Sequence, residues 1–190
     1  MSHGEGVTDT PRILPLPVDE RDERTQDLLR SLRFDPDADD FNIFTTLARH
    51  PRLLKRWSAF GGMLLAGGSL PARDREILIL RTAANTGADY EWGHHVPIGR
   101  AAGLTDAEMS DLSLPLANSS APLDALLVRA ADELHLSSVL TDVTWAALAQ
   151  IYDEQQLIEV CMVVGQYHLV AYTLNSLGVQ REPDFEGLPS

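Results

Sequence analysis

Three groups of side chains bring together residue types that do acid–base chemistry. Glu76 stands in REILILR, followed by four aliphatic residues in a row. A carboxyl beside that much apolar surface either points out at a helix rim or sits partly buried, where lost solvation disfavours its charge. The second group is YEWGHH, Tyr90 to His95. Glu91 and His95 are four apart, so on a helix they share a face and reach each other. In such a couple the carboxylate fixes the imidazole tautomer and stabilises its cation. The same spacing also describes an ordinary helix pair worth about 0.2–0.5 kcal/mol. Tyr90 and His94 repeat it on a face about 100° away. The third group is Gln166, Tyr167 and His168 inside an apolar C-terminal segment. A polar residue there needs a partner, so His168 is a satisfied core histidine or part of a site wall.

Metal and cofactor chemistry find less support in these residues. Glu91, His94, His95 and His168 offer carboxylate and imidazole, but neighbouring histidines diverge on a helix. Neither His-x-x-x-His nor His-Glu-x-x-His spacing occurs, so no metal is expected. The DPDADD run, Asp35 to Asp40, lacks the glycine and distant glutamate of a calcium loop. Cys161 is the sole cysteine and lies among Val160, Met162 and Val163, a setting for an inert thiol. Gly-x-Gly-x-x-Gly, phosphate-loop and Gly-x-Ser-x-Gly patterns are missing, and no cofactor is expected. The three tryptophans, Trp57, Trp92 and Trp145, read as core or interface residues.

The elements that must position these groups read as helices throughout. Apolar residues recur at helical spacing over 22–34, 42–49 and 51–66, the last stopped by Gly67 and Gly68. Pro71 opens a helix whose Arg75–Gly87 stretch is apolar over most of its circumference, and a further helix runs from about Asp89 to Ala102. Thr105 and Glu108 form a capping box. Beyond a linker at Ser113–Ala121, helices are expected over 122–137, 142–151 and 153–177, the last ended by Gly178. No segment alternates with period two, so the fold class is all-α. Residues 1–18 read as an N-terminal arm, 19–180 as one domain and 181–190 as a polar tail.

The chain has 190 residues with 44% apolar and 23% charged side chains, ordinary for one globular domain. Fifteen Lys and Arg against 28 Asp and Glu give a net charge of −13, which repels a phosphate backbone, so nucleic acid is not an expected partner. The apolar run Leu157 to Leu174 is interrupted by Glu159, Gln166 and His168 and reads as a buried core helix rather than a membrane span. With no signal peptide visible in MSHGEGVTDTPR, a cytoplasmic protein is expected. Helices apolar most of the way round need neighbours on several sides. The Arg75–Gly87 and Leu157–Leu177 segments therefore predict self-association, with a two-fold dimer as minimal unit.

The stretch LPARDREILILRTAANTGADYEWGHHVPIGRAAGLTDAEM, Leu70 to Met109, resembles the carboxymuconolactone decarboxylase family, which includes the alkyl hydroperoxide reductase D-like (AhpD-like) proteins. EVCMVVGQYHLVAYTLNSLGV, Glu159 to Val179, looks like that family's closing helix. The resemblance implies an AhpD-like bundle of about eight or nine helices and a homo-oligomer, whether dimer, trimer or hexamer. In the thiol-dependent branch a glutamate is followed by cysteines twelve and fifteen positions on and a histidine nineteen on. Counted from Glu76 those positions hold Ala88, Glu91 and His95 here, so both cysteines are absent. The lactone decarboxylase branch has a glutamate four residues before the histidine and an Ala-Ala-Gly helix end, matched by Glu91, His95 and residues 101–103.

The acid–base residues predict a cofactor-independent enzyme, and the resemblance implies one of the lyase type, decarboxylating a carboxylated lactone or related small organic acid. His95 would move the proton, Glu91 orient it, and Glu76 act as second acid or base. Tyr90, His94, Arg81 and His168 are the expected substrate-binding residues, and Arg75 and Arg100 are further candidates for holding a carboxylate. AhpD-like peroxidase activity, or a catalytically silent ligand-binding oligomer, is the alternative expectation.

Overall fold

The structure, a computed structural model, describes residues 10–32, 40–114 and 121–189. The first nine residues, most of the aspartate run and the centre of the expected linker lie outside them. Among the described residues there are nine α-helices and no strand: α1 (Glu23–Ser31), α2 (Asn42–Leu47), α3 (Pro51–Gly62), α4 (Ala72–Thr86), α5 (Asp89–Ala101), α6 (Asp106–Ser113), α7 (Pro122–Ser137), α8 (Asp142–Leu148) and α9 (Glu154–Leu177).

Helix α4 is the axis of the bundle, packed against α5, α6, α7 and α9. Its run Ile77, Leu78, Ile79 and Leu80 is at most 1% exposed, because an unbroken aliphatic run leaves no polar face to turn outward. Gly87 ends it in the left-handed region at φ 62°, where a side chain would be strained. The boundaries of the other helices follow local chemistry. Asp22, Thr105, Thr141 and Asp153 each cap a helix start through the side chain, with full capping boxes at Thr105–Glu108 and Asp153–Gln156.

Two expectations change. Helix α3 does not run smoothly to its glycine stop; it widens into a π-helical turn over Met63–Gly67. Such turns concentrate at functional sites, and this one borders the cavity described below. Nor does α4 need a second chain, since its own neighbours cover it. Helix α9 differs: it has the length and composition of a membrane span, with 61% of its apolar window buried, yet it leaves Ile158, Met162, Leu169 and Tyr172 at 49–64% exposure. The apolar run Leu157 to Leu174 therefore wraps partly onto the surface.

The loop entering α4 is held by Glu159 of α9. Its carboxylate accepts from the Ser69 N–H at 2.8 and 2.9 Å, the Ser69 hydroxyl at 2.9 Å and the Leu70 N–H at 2.9 Å. Gly68 allows the approach, since a Cβ there would lie 2.7 Å from Glu159 Oε2. Burial pushes the Glu159 carboxyl up, but the Ser69 and Leu70 donors outweigh it and hold the group below its ordinary 4.5. A depressed folded pKa gives stability that is present above the unfolded value and lost as pH falls through the folded one. Glu159→Ala should thus cost about 1–3 kcal/mol at pH 7, from donors left unpaired. Urea unfolding at pH 7 and pH 3 checks this: the gap between variant and wild type should narrow at pH 3, and an equal gap at both would contradict it.

Candidate active site

A cavity of about 760 Å³ opens between α3, its π turn, α5 and α9, lined mainly by apolar and aromatic side chains. Its polar groups come chiefly from the start of α4, from α5 and from α9: Arg75, Glu91, His95, Gln166 and Tyr167.

The acid–base pair at this cavity is not the one the helical spacing favoured. His95 Nδ1 lies 2.7 Å from Glu76 Oε2, across the packed faces of α4 and α5. Glu76 is fully buried, and its other oxygen accepts from Arg75 Nε at 3.1 Å. With both carboxylate oxygens accepting, Nδ1–H is the donor and Nε2 is left with the lone pair. No protein group among the described residues bonds to Nε2. The edge of the His95 ring meets Tyr167, with ring centroids 4.9 Å apart at 90°. This arrangement can take a proton from, or return one to, a small molecule in the cavity.

Glu91 does not orient His95. It is 2% exposed, and neither carboxyl oxygen has a hydrogen-bond partner. Burial without a partner raises its pKa well above the ordinary 4.5, which favours the neutral acid. Tyr167 is likewise pushed up, by burial first and then by Glu76 and Glu91.

Tyr90 and His94 do line the cavity, but they are tied into its wall. His94 stacks between Tyr90 and Phe185, at 4.3 and 4.2 Å between ring centroids, and its Nε2 meets Glu182 Oε2 at 2.5 Å. The Tyr90 hydroxyl donates to Glu182 Oε1 at 3.2 Å and accepts from the Ile43 N–H at 3.1 Å. The last residues are therefore no loose tail: Arg181 donates to Asp89 at 2.8 Å, and Phe185 forms part of the cavity wall. The N-terminal segment is anchored as well, with the Arg12 N–H on the Leu177 carbonyl and the Leu16 N–H on the Thr45 carbonyl. Sequence reasoning missed Phe185 and Trp57 at this cavity, and Glu182, which holds the lining residues His94 and Tyr90. The aromatic content of α3 and the acidic Glu182 close to the chain end were the available signals.

Two expected substrate-binding residues lie elsewhere. Arg81 is 3% exposed and fully engaged: Nε and Nη2 donate to Asp132 at 2.6 and 3.0 Å, and Nη1 donates to the Leu112 and Leu114 carbonyls. It locks α4 to α7 and the end of α6. Arg100 pairs on the surface with Asp106 and Glu186. Of the three candidate cations, only Arg75 reaches the cavity. His168 lines a second cavity of about 730 Å³ with His135, Cys161 and Tyr172. Its Nδ1–H donates to the Val164 carbonyl at 2.8 Å, which leaves Nε2 to accept from His135 Nδ1 at 2.9 Å. Burial, then the neighbouring His168, lowers the pKa of His135. Among the described residues no three His, Cys, Asp or Glu side chains gather as a metal site.

The helical order and this site define an all-α protein of AhpD-like fold. Residues 51–131 match the model of the Carboxymuconolactone decarboxylase family. No curated protein sequence gives a significant match. Among solved structures, the chain is similar to an uncharacterised peroxidase-related protein with an alkylhydroperoxidase AhpD core from Ralstonia eutropha JMP134. That match has 18% identity and a TM-score of 0.74, covering 89% of this chain and 88% of that one. A peroxidase-related protein from Silicibacter sp. TM1040 gives 14% identity and 0.75 over 97% of both chains. The debrominase Bmp8, solved with 2,3,4-tribromopyrrole, gives 15% and 0.71 over 93% of this chain and 94% of that one. At such identities the likeness establishes the fold.

Proposed function

We propose that this protein is a cofactor-independent acid–base enzyme acting on a small, largely apolar organic acid, and that the reaction is decarboxylation of a carboxylated lactone or a close analogue. The observation that carries the reading is the buried Glu76–His95 contact of 2.7 Å at an apolar cavity that also holds Arg75. Arg75 holds the substrate carboxylate before it leaves. The lactone delocalises the electron pair left by carbon dioxide, and His95 manages the proton at that carbon. A metabolite-library thermal-shift screen, followed by product and carbon dioxide analysis on each hit, tests this. Hits that bind without ever turning over would instead favour a silent ligand-binding protein.

A thiol-dependent peroxidase is the second reading, favoured by the peroxidase-related neighbours. The site opposes it. The two cysteine positions hold the fully buried Ala88 and the unpartnered acid Glu91, and Cys161, although exposed, has its thiol pushed up by the apolar surroundings at the other cavity. Hydroperoxide turnover by wild type that disappears in Cys161→Ser would reverse this ranking.

Self-association belongs to the same proposal. Ile158, Met162 and Tyr172 of α9, with Val143 and Trp145 of α8, are exposed apolar side chains suited to a second copy. Sedimentation equilibrium at micromolar concentration should give a species above the 20.9 kDa of one chain. A single 20.9 kDa species would refute the oligomer.

A further inference from the structure

Two buried polar groups at the main cavity lack partners. One is the Glu91 carboxyl on α5; the other is Trp57 Nε1 on α3, a donor with no acceptor. A buried donor left unmade costs about 1–3 kcal/mol, so such groups in a native fold call for an explanation. The other carboxyls discussed beside this cavity have internal partners. Glu76 takes His95 and Arg75, and Glu182 takes His94 and Tyr90. Glu91 alone among these carboxyls serves no protein group. It could have been any apolar residue of similar size, and the bundle would pack with less strain on its solvation.

Chemistry then narrows what satisfies it. A neutral carboxyl donates one O–H and recognises an acceptor, and an indole N–H does the same. The surroundings are apolar and aromatic, with Phe41, Phe44 and Tyr167 among the walls, so the acceptor must arrive on an apolar, ring-like body. We propose that Glu91 and Trp57 are hydrogen-bond donors to an uncharged carbonyl on a planar ring ligand, and that Glu91 grips the carbonyl oxygen itself. The assignment rests on the acid–base reading of the same cavity and names the part of the substrate that reading leaves open. Arg75 takes the carboxylate; the α5 acid takes the carbonyl. A hydrogen bond from a neutral acid also stabilises negative charge as it develops on that oxygen, where an ionised glutamate would repel it.

The probes are coumarin-3-carboxylate and 2-naphthoate, fused bicyclic carboxylates of which only the first carries a ring carbonyl. Calorimetric titration of wild type should show coumarin-3-carboxylate binding about tenfold tighter. Isotope-edited infrared spectra should show its lactone carbonyl stretch lowered on binding. In Glu91→Met, which fills the space without a polar atom, the preference and the infrared shift should both vanish while the melting temperature rises. Trp57→Phe should reduce the preference by a smaller factor. Equal affinity of the two probes for wild type, no binding of either, or a preference that survives in Glu91→Met would each overturn the proposal. Tight coumarin-3-carboxylate binding with the predicted shift, but no turnover of any library hit, would leave this assignment standing and remove the acid–base reading.

Discussion

His95→Ala lowers kcat/KM by about 10²–10⁴ on whichever substrate the library screen yields, while the bundle stays folded. The size follows from what the imidazole does alone. Its Nδ1 is held 2.7 Å from Glu76 Oε2, so the ring cannot turn, and its Nε2 has no protein partner among the described residues. Glu76 is in turn fixed by Arg75 Nε at 3.1 Å. On the proposed reading, substrate therefore meets a base with its tautomer and direction already set, and no other imidazole substitutes. His94 is held between two rings and bound to Glu182, and His168 lines the other cavity. Circular dichroism and a urea melt confirm that the variant folds, and initial rates are then compared at equal folded concentration. A rate within threefold of wild type would remove His95 from the chemistry and leave the cavity as a binding site.

Arg81→Ala costs about 3–5 kcal/mol of stability and leaves ligand affinity at the main cavity unchanged. The Arg81 side chain is 4% exposed and the Asp132 side chain 31%, so removing the guanidinium strands a carboxylate against the bundle. Asn85 Nδ2 also donates to Asp132 at 2.7 Å and recovers only part of the loss. The Leu112 and Leu114 carbonyls lose their donor as well, freeing the end of α6. Denaturant unfolding at pH 7 measures the first effect, and titration with coumarin-3-carboxylate the second. Weakened binding by a folded Arg81 variant would restore the sequence expectation that this arginine holds substrate.

Much of the fold was legible because its signals are local. A capping box needs only Thr105 and Glu108, and a left-handed stop needs only Gly87 or Gly178. Burial of α4 was legible too, since four aliphatic residues in succession leave no face for water. The residue types at the site were equally visible: Glu76, Glu91 and His95 all stand at or behind one cavity wall.

What joins them was not visible. Helical spacing offers His95 the carboxyl four residues away, an interaction fixed by one helix. The structure gives it Glu76, nineteen positions back, because α4 and α5 pack with those side chains facing. That packing decides which carboxyl is paired and which is stranded. In α9, Gln166 and Tyr167 turn to the main cavity while His168 turns to the other, since successive residues diverge by about 100°. Arg81 reads as a free cation until Asp132, fifty-one positions on, is brought beside it. The last residues read only as a polar tail until Asp89 and His94 are there to meet Arg181 and Glu182. The sequence by itself determined the helices and the inventory of acids, bases and cations. Only the tertiary structure decided which of them neutralise one another and which remain for a ligand, because an ion pair or a buried orphan is a property of two surfaces in contact.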